Sequence, residues 1–305
     1  MNEPYQNVLN AITEETVSHP ASGHVADYIP ELSHVDPNRF GIALADLNGG
    51  IAVAGDSEIR FSTQSISKVF ALALAMTRAP EEVARRIGVE PSGNPFNSLV
   101  QLEYENGIPR NPFINAGSIV LADILLSLFD DPKQVLLEHV RTMATAPTIE
   151  INERVAVSER QCGFRNEALA NLMKAFGNIR HDVSDVLDLY VAICAIEMTC
   201  RELAQAFLYL ADEMRFTENG IDIPASDVRR INAIMLTCGF YDESGEFAYR
   251  VGLPGKSGVG GGIAAVRPRQ YAVAVWSPRL NSRGNSTLGT HALGRLTDLT
   301  GSSIF

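Results

Sequence analysis

Lysine is nearly missing from this sequence: of its 25 basic residues only Lys68, Lys133, Lys174 and Lys256 are lysine, and the rest are arginine. Basic residues of either kind are outnumbered by 36 acidic ones, for a formal net charge of -11. That balance excludes a nucleic-acid or anionic-membrane surface, because both need a basic face to displace counterions. No stretch holds the roughly 18 uninterrupted apolar residues of a membrane span. Met1-Asn2-Glu3-Pro4-Tyr5-Gln6-Asn7 lacks the basic start and apolar run of a secretory signal, so a cytoplasmic location is expected. The four cysteines (Cys162, Cys194, Cys200, Cys238) form no C-x-x-C pair, which excludes a disulfide framework or zinc site and predicts buried thiols. Pro/Ser-rich tracts, blocks of like charge and internal repeats are also lacking, so no linker between independent domains is marked.

What is present is an ordinary globular composition, 46% hydrophobic over 305 residues, enough for one large core or two subdomains sharing an interface. Apolar stretches at Gly41–Ala45 and Ile51–Ala54 flank Asn48-Gly49-Gly50 and predict a β-hairpin. A short strand is expected at Ile59–Ser62, then a buried helix from Ser65 to about Thr77. The pattern stays mainly helical to about residue 235, with helices expected at Ile119–Phe129, Asn166–Phe176, Ser184–Ile196 and Arg201–Met214. Strand signals return at Phe247–Val251, Gly262–Val266 and Tyr271–Trp276. The fold class is therefore α/β (α+β), with an antiparallel sheet formed from both chain ends and an inserted helical region. Residues 1–64 and 236–305 are expected to form the sheet-containing subdomain, and 65–235 the helical one. A groove between them is the natural place for a site.

A protein that writes arginine wherever positive charge suffices has a reason for each lysine, and the property arginine lacks is the ability to give up a proton. Ser65-Ile66-Ser67-Lys68 is an S-x-x-K motif at a predicted helix start. A spacing of three puts hydroxyl and amine on one face. The positive end of the helix disfavours an ammonium there, which favours the neutral amine needed to activate a serine. Taken alone, a capping serine and a solvated lysine satisfy the same pattern.

Lys256-Ser257-Gly258, just before the strand at Gly262, is similar to the K-[ST]-G element of S-x-x-K acyl-transferases, among them penicillin-binding proteins and class A β-lactamases. Such a strand supplies a backbone N–H to an oxyanion, and Gly258, Gly260, Gly261 and Gly262 permit close backbone approach. A phosphate loop is excluded by Arg250, which stands five residues before Gly255 where a glycine is required. Gly260 and Gly262 lead to Ala265, a permitted dinucleotide-fingerprint variant, but that match runs into a strand instead of opening a helix.

Five segments carry a more specific resemblance: Ala26–Leu32, Phe61–Lys68, Asn111–Gly117, Cys238–Asp242 and Lys256–Gly262. In this order they look like the signature segments of the serine-dependent glutaminases, and the match runs over nearly the whole chain. The resemblance implies a β-lactamase-like fold and hydrolysis of the L-glutamine side-chain amide, with release of glutamate and ammonia. It implies that Ser65 is the nucleophile and Lys68 its activating partner, with Tyr241 and Tyr28 near the serine and Tyr241 a candidate proton carrier. Asn115, Glu159, Asn166 and Tyr190 match positions that hold the amino acid, and Val259 matches the one whose backbone faces the reacting amide. A homo-oligomer, a tetramer, is implied as well. Glutamine's ammonium, carboxylate and amide call for a carboxylate, polar donors and an oxyanion hole, and no metal or organic cofactor is required.

Outside the resemblance, Glu159 and Asn166 lie seven residues apart, but Gly163 between them argues against one continuous helix. Two other functions fit the same residues. One is a penicillin-binding or β-lactamase-type serine acyl-transferase, for which Tyr104-Glu105-Asn106 is the nearest substitute for the S-D-N triplet. The other is a non-catalytic glutamine-binding protein on the same fold.

Overall fold

The computed structural model describes residues 3–19, 22–93, 99–212 and 223–305. After a first helix, Glu3–Ser18, the expected hairpin forms: β1 (Gly41–Asp46) and β2 (Ile51–Gly55) pair antiparallel. Asp46 closes its turn by accepting the backbone N–H groups of Asn48 at 2.8 Å and Gly50 at 3.0 Å, while Gly49 takes φ +82°. β3 (Phe61–Ser62), β4 (Glu150–Ile151) and β5 (Ile196–Met198) make a small sheet ordered β3-β5-β4. β6 (Gly255–Ser257), β7 (Gly262–Arg267) and β8 (Tyr271–Trp276) complete the main sheet, ordered β2-β1-β8-β7-β6 and antiparallel throughout. Both chain ends thus build one sheet, as expected.

Strand alternation sorts the side chains of this sheet into two cores. Ile42, Leu44, Ile263, Val273 and Val275 face Leu9 and Ile12 of the first helix and Leu293 and Leu296 of the last, Thr287–Thr300. The opposite face is paved with Ala43, Ala45, Ala264, Ala272 and Ala274, whose small side chains let the helix Cys200–Phe207 lie close. Beyond it sits the helix Lys68–Arg78, buried continuously from Lys68 to Met76, as a helix apolar on every side must be. Phe61 stacks on Trp276 with ring centroids 5.2 Å apart and joins the two sheets.

Several expectations are corrected. Phe247–Val251 is not a strand but part of the helix Ser244–Arg250 and its cap. Phe247 and Val251 are both buried, four residues apart on one helical face, and Tyr249 between them is 91% exposed. The expected helix at 119–129 begins earlier, as Asn115–Leu128, and that at 166–176 is Phe164–Ala175. The one at 184–196 is Val183–Cys194, with Ile196 already in β5. That at 201–214 is Cys200–Phe207, held by a Thr199–Glu202 capping box and followed by a 3-10 turn at Leu208–Leu210; residues 213 and 214 lie outside the described residues. The thiols are not uniformly buried, because Cys162 is exposed. Among the described residues no helix is long and apolar enough to cross a membrane.

Candidate active site

The backbone around Ser65 is unusual before any side chain is considered. Gln64 takes φ +49°, a left-handed conformation uncommon for a residue with a side chain, and opens a 3-10 turn, Gln64–Ser67, that feeds the α-helix starting at Lys68. Ser65 therefore lies on this turn and not within the α-helix. A 3-10 turn eclipses residues three apart, so Ser65 and Lys68 share a side more closely than α-helical spacing predicts. The turn is pressed against the glycine-rich segment before β7. A Cβ on Gly258 would overlap the Thr63 carbonyl oxygen and lie 3.4 Å from the Ser65 nitrogen, and one on Gly260 would overlap the Ser62 carbonyl oxygen. Glycine is required at both positions by this backbone-on-backbone contact, which sets Val259 beside the serine.

Asn115 is positioned by its own segment. The Asn111 side chain accepts the backbone N–H groups of Phe113 at 3.0 Å and Ile114 at 3.1 Å, turning the chain so that Asn115 begins the helix. Lys68, fully buried, donates to the Asn115 side-chain oxygen at 2.8 Å and to the Phe113 carbonyl at 3.3 Å; Asn115 in turn donates to Asn166 at 2.9 Å. Burial lowers the Lys68 pKa, against weaker raising effects of Cys194 and Glu159. Lys256, also fully buried, is lowered further by burial and the positive charge of Lys68; its amine lies 4.7 Å from the centre of the Tyr241 ring.

Tyr241 follows the helix Ala225–Cys238, takes φ +56° and lines the same cavity as Ser65. Burial raises its phenol pKa, and the nearby Ser65 hydroxyl opposes that shift. Glu159, on the helix Glu153–Cys162, is 7% exposed and one of its carboxylate oxygens, Oε2, has no hydrogen-bond partner. Burial raises its pKa to about 7, against the lowering effects of Lys68 and of a hydrogen bond from Gln64. Tyr190, on the helix Val183–Cys194, is buried, and that burial raises its phenol pKa well above the ordinary value.

A cavity of about 210 Å³ gathers these groups: Tyr28, Ser65, Asn115, Glu159, Asn166, Tyr190, Tyr241 and Val259 all line it. Lys68 does not line it but is bonded to Asn115, which does. Of the residues that the family resemblance assigns to the site, all except Lys68 reach the cavity wall, whereas Lys256 and the glycines beside it do not. Tyr28 is 54% exposed and forms a lip. Glu159 and Asn166 arrive from two helices, Glu153–Cys162 and Phe164–Ala175, broken at Gly163 as expected. Tyr104 is 84% exposed, and Tyr104-Glu105-Asn106 lines no part of the cavity. Gln64, Ile29, Cys162 and Arg165 also line it and were not singled out. Gln64 stands in the Phe61–Lys68 segment, and that adjacency to Ser65 was the one signal for it.

Sheet, inserted helices and a polar cavity at the serine turn define an enzyme of β-lactamase-like fold. A model of the Glutaminase family matches residues 23–305. A glutaminase of Christiangramia forsetii is 53% identical over 302 residues, 99% of each chain. The solved structure of a probable glutaminase, ybaS, superposes with a TM-score of 0.90 at 34% identity, covering 98% of each chain. Mglu, solved in its glutamate form, gives a TM-score of 0.91 at 31% identity over all of this chain and 70% of its own. The chain belongs to the glutaminase family, and its activity is hydrolysis of the side-chain amide of L-glutamine.

Proposed function

We propose that the glutaminase reaction runs through a covalent glutamyl ester on Ser65, with Lys68 as base and Tyr241 as proton carrier. The observation that carries this reading is the convergence of Ser65, Tyr241 and an unsatisfied Glu159 oxygen on one cavity, with the buried Lys68 amine, of lowered pKa, bonded to Asn115 in its wall. A neutral amine has two N–H donors and one lone pair. Asn115 and Phe113 offer Lys68 two acceptors, which leaves the lone pair to take the Ser65 proton. Tyr241, its pKa raised, stays protonated and donates to the leaving nitrogen, then recovers that proton from Lys68. Ser65 Oγ bonds to the amide carbon, the C–N bond breaks, and ammonia leaves. Water then cleaves the ester by the reverse proton path and releases glutamate.

Glu159 takes the substrate ammonium, and Asn115, Asn166 and Tyr190 hold its polar groups. The Val259 backbone faces the amide oxygen, and Tyr28 closes over the bound amino acid. Mglu, a structural relative, has been solved with glutamate, which suits a site of this chemistry. We further infer a sheet-containing subdomain of 1–64 and 236–305 around the helical 65–235, a homotetramer, and a cytoplasmic enzyme whose four free cysteines suit a reducing compartment.

Ser65→Ala is expected to stop ammonia release while calorimetry still detects glutamine binding, and Lys68→Arg to lower kcat at least about 100-fold, because Arg cannot act as a base. Wild-type turnover in either variant refutes its assigned role.

A further inference from the structure

We propose that Glu243 is a positioning residue for the reaction, fixing Tyr241 in the one backbone conformation that brings its hydroxyl to Ser65. The inference rests on the role given to Tyr241 above. A tyrosine at φ +56° is strained, and such a conformation persists only where its surroundings enforce it. The enforcement comes from the loop Asn281-Ser282-Arg283-Gly284-Asn285. Glu243 accepts the Asn281 side-chain amide on both oxygens, at 3.1 and 2.8 Å, and also accepts from the Asn285 side-chain amide. The Asn285 amide nitrogen lies 3.4 Å from the Phe240 carbonyl, the peptide that leads into Tyr241. Arg283 donates to the Asp242 carbonyl at 3.1 Å, on the far side of Tyr241. The loop is held in turn by Asn281, whose side-chain oxygen accepts the backbone N–H groups of Arg283 at 2.9 Å and Asn285 at 3.1 Å. A Cβ on Gly284 would lie 3.6 Å from the Tyr241 ring, so the loop also backs the ring itself.

A carboxylate suits this place because it is acceptor-only and can take several amide N–H groups at once. Glutamine at 243 would turn an NH2 toward the Asn amides and set donor against donor. Glu243 is 16% exposed and lines no part of the catalytic cavity, so an effect on turnover has to pass through Tyr241.

The test is a set of variants assayed for kcat, KM and melting temperature. Glu243→Gln is expected to lower kcat about 10- to 100-fold, the cost of a displaced catalytic group, with KM within about twofold of wild type. The same substitution in a Tyr241→Phe background should cost nothing further, since the hydroxyl it positions is gone. Glu243→Gln with Asn281→Asp restores an acceptor opposite the new amide, keeps the loop's own acceptor, and should recover most of kcat. Wild-type kcat in Glu243→Gln, an equal loss in both backgrounds, or a folded double variant with kcat still depressed overturns the proposal. Wild-type kcat in Tyr241→Phe alone is a separate result and removes the role of Tyr241 instead. If Glu243→Gln does not fold, Arg283→Ala at the surface takes its place, with the same expected loss of kcat and the same comparison in Tyr241→Phe.

Discussion

Lys68 donates to the Asn115 side-chain oxygen at 2.8 Å, and this bond ties the helix Lys68–Arg78 to the helix Asn115–Leu128, which carries this cavity-lining asparagine. A carboxylate in place of that amide would hold the amine as an ammonium. Asn115→Asp is therefore expected to raise the Lys68 pKa and lower kcat at neutral pH about 100-fold, with the acid limb of the kcat profile moved to higher pH. A loss of activity with an unmoved profile would count against Lys68 as base.

Glu159 couples function and stability with opposite signs. Its carboxyl titrates near 7 in the folded protein against an ordinary 4.5. As pH falls through 7 it gains a proton and loses the charge proposed to pair with the substrate ammonium, so KM should rise toward tenfold per unit below that point. The folded state holds this proton more tightly than the unfolded state. Its contribution to stability is thus full below about 4.5 and is lost as pH rises through 7, about 3 kcal/mol in all. Glu159→Gln should bind glutamine poorly yet unfold at higher denaturant concentration than wild type at pH 8. An unchanged or lower midpoint contradicts a buried, unsatisfied charge.

His139 is 2% exposed, and neither ring nitrogen has a hydrogen-bond partner among the described residues. Burial, with the nearby charge of Arg78, lowers its pKa to about 4. The unfolded chain takes a proton first as pH falls, so stability present above 6.5 is progressively lost down to about 4, again about 3 kcal/mol. His139→Leu should flatten that part of the pH–stability curve in denaturant titrations between pH 8 and 5. An unaltered slope would mean that the imidazole is solvated.

Two glycine substitutions with opposite outcomes test the contact that frames the serine. Gly258→Ala drives a methyl group into the Thr63 carbonyl and should displace the Ser65 turn, with kcat lower by about 100-fold. Gly245→Ala, in the helix Ser244–Arg250 with open space around its Cα, should stabilise by about 0.4–1 kcal/mol and leave kcat unchanged. Equal kinetics in the two variants would dispose of the contact as a determinant of activity.

Much of the site was legible because its parts are local in the chain. S-x-x-K is a three-residue relation, the hairpin turn is written in Asn48-Gly49-Gly50, and Gly258, Gly260 and Gly262 mark a backbone approach whatever the partner. What the sequence did not display is set by contacts between distant segments. Phe247 and Val251 fit a strand until Phe240 stacks on Phe247 at 3.6 Å. The left-handed Gln64 and Tyr241 follow no local rule, since glycine is the residue such positions favour. β6 is three residues long, too short for periodicity to register. The first helix was missed altogether, although Leu9, Ile12 and Thr16 recur at helical spacing and are all buried.

The order of strands in the main sheet also dictates a timetable. β1 lies between β2 and β8, and β8 leaves the ribosome more than 200 residues after β1. At about 5–20 residues per second, the new hairpin waits on the order of 10–40 s with one edge unpaired. Throughout that interval its free edge is open to other chains. Until Tyr241 and Gly258 emerge, the serine turn is also without the residues that complete its site. Newly made chains therefore need sheltering more than finished ones, and a peptide that pairs with β1 would trap the protein before it becomes an enzyme.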